Sequence, residues 1–493
     1  MKSLSKSMED KTISNNTIVS SLWWKLLERL FSQGINLVVQ IVLARILLPG
    51  DFGCLAIIVA ITNYAAIFVQ SGLATALIQK KNLDEKDVST MLTASLTVAM
   101  VLYIVLYLLS PWIAQAYNLP EILWPLRIQA LVLFLNAIFS VQTALLSRNM
   151  DFKSIFIRTA LAVPISGTVG IVMAYFGFGV WSLVAHNIVH TSVMVLVMIL
   201  GTDMHLRLGF SLERAKTMYS FSVKIMGSAL VSGFGDTVRT MTIGKTYTTS
   251  NLAYYDKAYS YSLYVVSIIH LSIQSVMLSV LSRQQDDLKL LCETNRKTVQ
   301  MVSFVMFPFL IGAIMSAKPL IMLLLTEKWA PCIGFFMLFC FFRLIGCVTS
   351  VDKQAYYALG RSDIALYYEV GLLTANLLML FYTVRISIWA IAIGATIIEF
   401  LGSLMLCVIS SQIYGYSLLN RFSDFCKPLL NSIVMAVVLY GITLLGMSYI
   451  NTLILQIAVG LVVYYIMASI SDNKNLKLFV KIIRKKQTKN KKI

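Results

Sequence analysis

Five polar residues near the start of the chain, Lys25, Arg29, Gln33, Asn36 and Gln40, step by three or four positions and so share one face of a helix. Glu28 and Ser32 border them, while Trp23, Leu26, Leu27, Leu30, Ile35, Leu37, Val38 and Val39 make an apolar opposite face. Cations and amides in such a row are suited to holding an anionic ligand. Each charge at the middle of a bilayer costs about 3 kcal/mol or more, so the row must face protein or water rather than lipid. Two plainer roles compete. Glu28 neutralises its neighbours along the helix, or Lys25 reaches back to the interface.

A second row follows at an offset of 199 residues, the separation of Lys25 from Lys224 and of Gln40 from Arg239. It comprises Lys224, Ser228, Ser232, Asp236 and Arg239. The flanks LARILLPGDFGCLA (43–56) and IGKTYTTSNLAYYDKA (243–258) correspond too, each giving a basic residue, a short loop and an aromatic. Two homologous halves are expected, as in many transporters. Arg239 and Asp236 are candidates for a substrate cation and a coupling-ion carboxylate. At i, i+3 they are equally suited to pair with each other.

Further charges interrupt the apolar stretches. Arg127 and Arg343 join the candidate substrate-binding residues, and Glu399, with Glu369 the weaker, is a candidate for carrying a proton or cation. His186 and His190 have a spacing that can clamp a metal, but no third ligand accompanies them and a core hydrogen-bonding role is expected. The tyrosines between Tyr247 and Tyr264 suit either sugar stacking or an interfacial belt. The seven cysteines show no C-x-x-C pair and read as buried thiols. No phosphate-binding loop of the G-x-x-x-x-G-K-[ST] type occurs, and no metal, cofactor or catalytic residue is expected.

The elements that position these residues are membrane helices. The 493 residues are 58% hydrophobic and only 13% charged, with a mean hydropathy of +0.77, which excludes a soluble globular protein. The net charge of +18 is not a nucleic-acid footprint, because the cations sit in short loops and in the tail. Apolar runs of about 20 residues recur throughout and predict an all-α polytopic protein of about fourteen transmembrane helices. The expected spans include 88–109 (closed by Pro111), 122–144, 215–242, 252–280 and 299–325. The division is a cytoplasmic N-terminus (1–17), a six-helix bundle (18–200), a cytoplasmic linker (201–213), a second six-helix bundle (214–410), two extra helices (411–471) and a basic cytoplasmic tail (472–493). Lys and Arg crowd into alternate loops and both ends, leaving few on the other side, so both termini are expected in the cytoplasm. No cleavable signal peptide is seen, and the tail suits an anionic leaflet. No loop has room for a soluble catalytic domain.

The runs QIVLARILLPGDFGCLAI (40–57), GLATALIQKKN (72–82), ALLSRNMDFK (144–153), DTVRTMTIGK (236–245) and LSRQQDD (281–287) resemble the polysaccharide-transporter branch of the multidrug/oligosaccharidyl-lipid/polysaccharide exporter superfamily. The resemblance covers 18–470 and is nearest to Wzx-type flippases for O-antigen, capsule or exopolysaccharide. It implies two bundles around a cationic cavity and outward movement of polyprenyl-pyrophosphate-linked oligosaccharides across the bacterial cytoplasmic membrane by alternating access. It also implies ion antiport. A monomer is expected, with a polysaccharide polymerase and assembly proteins as further partners. A multidrug exporter of the same superfamily is the nearest alternative, and a polymerase-type membrane enzyme a more distant one. Cations outnumber carboxylates within the spans, which favours anionic cargo over organic cations.

Overall fold

Capping side chains, glycines and prolines divide the chain into helices, and no strand occurs among the described residues. The computed structural model describes residues 15–70, 77, 80, 83–201, 208–471 and 475–477. The segment before residue 15 and most of the basic tail lie outside them. The first helices are α1 (Asn15–Ile46), α2 (Pro49–Gln70), α3 (Glu85–Ala116), α4 (Leu123–Gln129), α5 (Val132–Arg148), α6 (Phe152–Tyr175), α7 (Val180–Gly201) and α8 (Leu212–Thr246). Then come α9 (Thr249–Ser282), α10 (Leu288–Met315), α11 (Ala317–Leu325), α12 (Cys332–Ala358), α13 (Ser362–Thr383), α14 (Ile388–Tyr414), α15 (Leu418–Leu444) and α16 (Tyr449–Ser471). The Asp151, Asp287, Ser387 and Ser417 side chains accept backbone N–H groups that α6, α10, α14 and α15 would otherwise leave bare.

Among the described residues, eleven helices are long and apolar enough to cross a membrane, or twelve with α12, which bends by 41° between Leu344 and Gly346. The chain is therefore a multi-pass membrane protein. The expected fourteen is not reached on this criterion among the described residues: α8 is long enough but too polar, and α9 runs through 267–276, whose side chains lie outside the described residues. The expected span 122–144 is interrupted between α4 and α5, and 299–325 between α10 and α11.

Pro111 does not end α3, which continues to Ala116. A proline inside a helix frees the carbonyl four residues back, here that of Tyr107. The Ser110 hydroxyl donates to that carbonyl at 2.8 Å, and an Arg127 nitrogen approaches it at 3.4 Å. The helix survives because the lost bond is replaced.

The helices fall into two compact units, Met1–Met241 and Thr242–Ile493. In the first, α6 packs along both α1 and α7, and α5 lies against α2, α3 and α7. Gly167 of α6 lets α1 come close, since a Cβ there would collide with Val39. Most of α8 also belongs to this unit. Its start is held by Arg214, which bonds Asp84 and Asp87 at the head of α3, and Met241 accepts from the Tyr117 hydroxyl just beyond the other end of α3. Helix α8 is thus tied near its two ends to the two ends of α3. In the second unit α12 packs against α9, α10 and α14, α13 covers α14, and α15 joins the pair α15–α16 to α10.

Candidate functional site

Helix α1 meets α6 through Trp24 and Phe31, whose rings lie 5.4 and 5.7 Å from that of Phe156, and through Glu28, which accepts from the Thr159 hydroxyl. That contact turns Lys25 and Arg29 outward, and both are exposed. Lys25 stands 5.5 Å from the centre of the Phe152 ring, and Glu28 is an electrostatic neighbour of Arg29 and Lys25. Gln33 and Asn36 are half-buried further along the row, and Asn36 donates to Ser32 at 3.4 Å. The row therefore exists as a polar strip on a helix whose other side is packed.

On α8, Asp236 and Arg239 form an ion pair at 2.7 Å, and the Asp236 side chain is 64% exposed. The plainer of the two roles is the one observed. The side chain of Lys224 lies outside the described residues. Arg127, expected among the substrate-binding residues, is engaged with α3. Its Nε donates to Ser110 at 2.7 Å, and its guanidinium covers the Tyr107 and Trp124 rings at 4.0 and 5.0 Å. His186 and His190 stack with centroids 6.4 Å apart, and among the described residues no three potential metal ligands converge.

In the second unit, Arg343 sits beside the bend of α12, between the rings of Tyr259 (4.9 Å) and Phe342 (5.0 Å). Its Nε and Nη2 are buried without a hydrogen-bond partner. Glu399, on α14, has no cation near it in sequence, yet the fold brings the charges of Lys353 and Arg343 to bear on it. Lys353 lies within α12 and bonds Glu369 of α13 at 2.6 Å. Among the described residues Glu399 makes no ion pair.

The sequence did not reveal three buried ion clusters. Asp87, fully buried, takes Lys80 at 2.7 Å and Arg214 at 2.9 Å. Asp352 takes both terminal nitrogens of Arg421, at 2.8 and 3.0 Å, together with Asn295 and the Tyr414 hydroxyl. Asp424 takes Arg296 twice, Gln300 and Tyr416. Outside the spanning helices, burial pushes the Tyr416 hydroxyl above its ordinary pKa, so it stays a donor. The one available signal was an acid near each end of an apolar run.

Residues 42–334 match the family described as Polysaccharide biosynthesis protein. The chain belongs to that family. Among curated members, it is 23% identical over 65% of its length to the succinoglycan biosynthesis transport protein ExoT of Rhizobium meliloti (strain 1021), and that alignment spans 65% of ExoT, just under two thirds. It is 23% identical over 74% of its length to the lipopolysaccharide biosynthesis protein WzxC of Escherichia coli (strain K12), covering 73% of WzxC. The fold of this polysaccharide biosynthesis protein is that of the lipid II flippase MurJ in its inward closed conformation, with a TM-score of 0.76 at 16% identity over 91% of this chain and 98% of that one. An inward-facing MATE family transporter of the MOP superfamily shares it at a TM-score of 0.60 and 14% identity, over 80% and 95% of the two chains.

Proposed function

We propose that this protein is a flippase that carries polyprenyl-pyrophosphate-linked oligosaccharide repeat units outward across the cytoplasmic membrane, by alternating access, for surface polysaccharide assembly. The observation that carries the reading is the pair of exposed cations, Lys25 and Arg29, inside an apolar helix of a polysaccharide biosynthesis family member. A pyrophosphate needs a cationic path and the sugars need a wet one, whereas the prenyl tail can stay in lipid. Both termini are cytoplasmic in this reading, and the protein is a carrier rather than an enzyme. The halves 18–200 and 214–410 are its repeats, with 411–471 added. Gln33, Asn36, Lys224, Arg239 and Arg343 supplement the two leading cations, and Glu399 ranks above the already paired Asp236 for carrying a proton.

Arg29→Ala tests the reading directly. The expected outcome is loss of surface polysaccharide with unchanged amounts of protein in the membrane. Normal polysaccharide in that variant removes Arg29 from the path. Movement of a fluorescent lipid-linked oligosaccharide by the protein in liposomes, without chemical change to it, separates a carrier from an enzyme.

A further inference from the structure

Four charges of the second unit act on one another around Glu399, and they are not equally satisfied. Lys353 and Glu369 bond each other at 2.6 Å. Arg343 and Glu399 do not pair, although each acts on the other electrostatically. Arg343 keeps two buried N–H donors without an acceptor, at the bend of α12 and between two aromatic faces. Buried donors left unbonded are costly, more so when charged, so such an arrangement is retained where an acceptor arrives. Interrupted membrane helices are the usual places for such sites.

We propose that Arg343 and Glu399 form one site that takes an oxyanion together with a proton. The oxyanion accepts from Nε and Nη2 of Arg343, and the proton, drawn from water, joins the Glu399 carboxylate. The charges explain the coupling. Two cations and two carboxylates sum to zero, so an arriving oxyanion meets a neutral cluster and is repelled by Glu399 while that group is ionised. Protonating Glu399 leaves Arg343 uncompensated and raises its hold on the anion. Among the described residues, Arg343 and Lys353 on α12, with Glu369 and Tyr368 on α13, are the charged or titratable groups that act on Glu399, while Arg296 of α10 and Arg421 of α15 are taken up in the Asp424 and Asp352 clusters. Lys353 is not the anchor, because Glu369 already occupies it.

That the oxyanion belongs to the cargo rests on the flippase reading; the site itself does not. Where it does belong to the cargo, anion and proton cross together. Acid outside the cell then holds the anion on the site instead of expelling it. The outward bias at this site therefore comes from a reaction that consumes the delivered unit outside, not from an inward proton gradient.

Inorganic sulfate, which carries no titratable proton near neutrality, is the probe. Its binding to the full-length protein in lipid nanodiscs is measured by calorimetry at about pH 6 and about pH 8, in two buffers of different ionisation heat. Affinity should fall as pH rises, approaching about tenfold per pH unit while Glu399 titrates, with up to one proton taken up per sulfate. Glu399→Gln should bind with little pH dependence and more tightly than wild type at the higher pH. Glu399→Asp should keep the dependence, and Arg343→Gln should bind weakly throughout. The wild-type measurement stands alone if a variant does not fold. No sulfate binding, a pH-independent wild-type affinity, a pH dependence that survives Glu399→Gln, or unaltered binding by Arg343→Gln each overturns the proposal. No movement of the fluorescent lipid-linked oligosaccharide in liposomes alongside proton-linked sulfate binding would instead overturn the flippase reading and leave the site intact.

Discussion

Helix α12 carries two charged residues nine positions apart that have opposite fates. The Asp352 carboxylate is sealed and saturated, with both terminal nitrogens of Arg421, the Asn295 amide and the Tyr414 hydroxyl all donating to it. Arg343, two turns earlier, keeps two buried nitrogens without a partner. In a low-dielectric interior a charge is tolerated when its partners are complete. Completeness at Asp352 marks a clamp that fastens α15 to α12. Incompleteness at Arg343 leaves two buried donors with no partner among the described residues. The difference separates a charge that fastens two helices from one whose donors the described residues leave open.

The largest effect should come from breaking the clamp. Arg421→Met leaves Asp352 buried with its charge uncompensated, and about 3–5 kcal/mol of stability should be lost. Thermal unfolding in detergent measures this, and the protein should become scarce in the membrane. The double variant Arg421→Met/Asp352→Leu should recover much of the loss, since the cost lies in the orphaned charge. Arg127→Ala comes next. It withdraws the bond to Ser110 beside the proline-freed carbonyl, so about 1–2 kcal/mol should go while surface polysaccharide persists. Loss of polysaccharide with normal stability would return Arg127 to the transport path. Arg343→Met should shift stability by less than about 1 kcal/mol, because few bonds are lost, yet it should reduce export. A collapse in stability would place it with the clamp. Asp236→Asn, at an exposed pair, should leave the melting temperature unchanged. Its export rate, measured with and without an imposed sodium gradient, decides whether Asp236 does more than pair with Arg239.

What could be read before folding was what depends on near neighbours. Periodicity showed the polar strip of α1 and its echo in α8, and the i, i+3 spacing of Asp236 and Arg239 allowed the pair that forms. Composition alone decided that the chain crosses a membrane many times, because apolar runs of that length have no other stable solvent. Glu399 looked isolated by the same measure, since no cation lies within a helical turn of it.

Tertiary structure decided which charges are spent. Arg127 finds Ser110 17 residues away, Lys353 finds Glu369 16 away and Arg421 finds Asp352 69 away, on other helices in each case. Pro111 read as a helix end because its lost hydrogen bond was visible and its replacement from another helix was not. A helix's own sequence says which face a charge occupies. Whether an opposite charge waits across that face depends on how the helices pack, and in a low-dielectric layer that contact determines whether a charge is a fastening or a site.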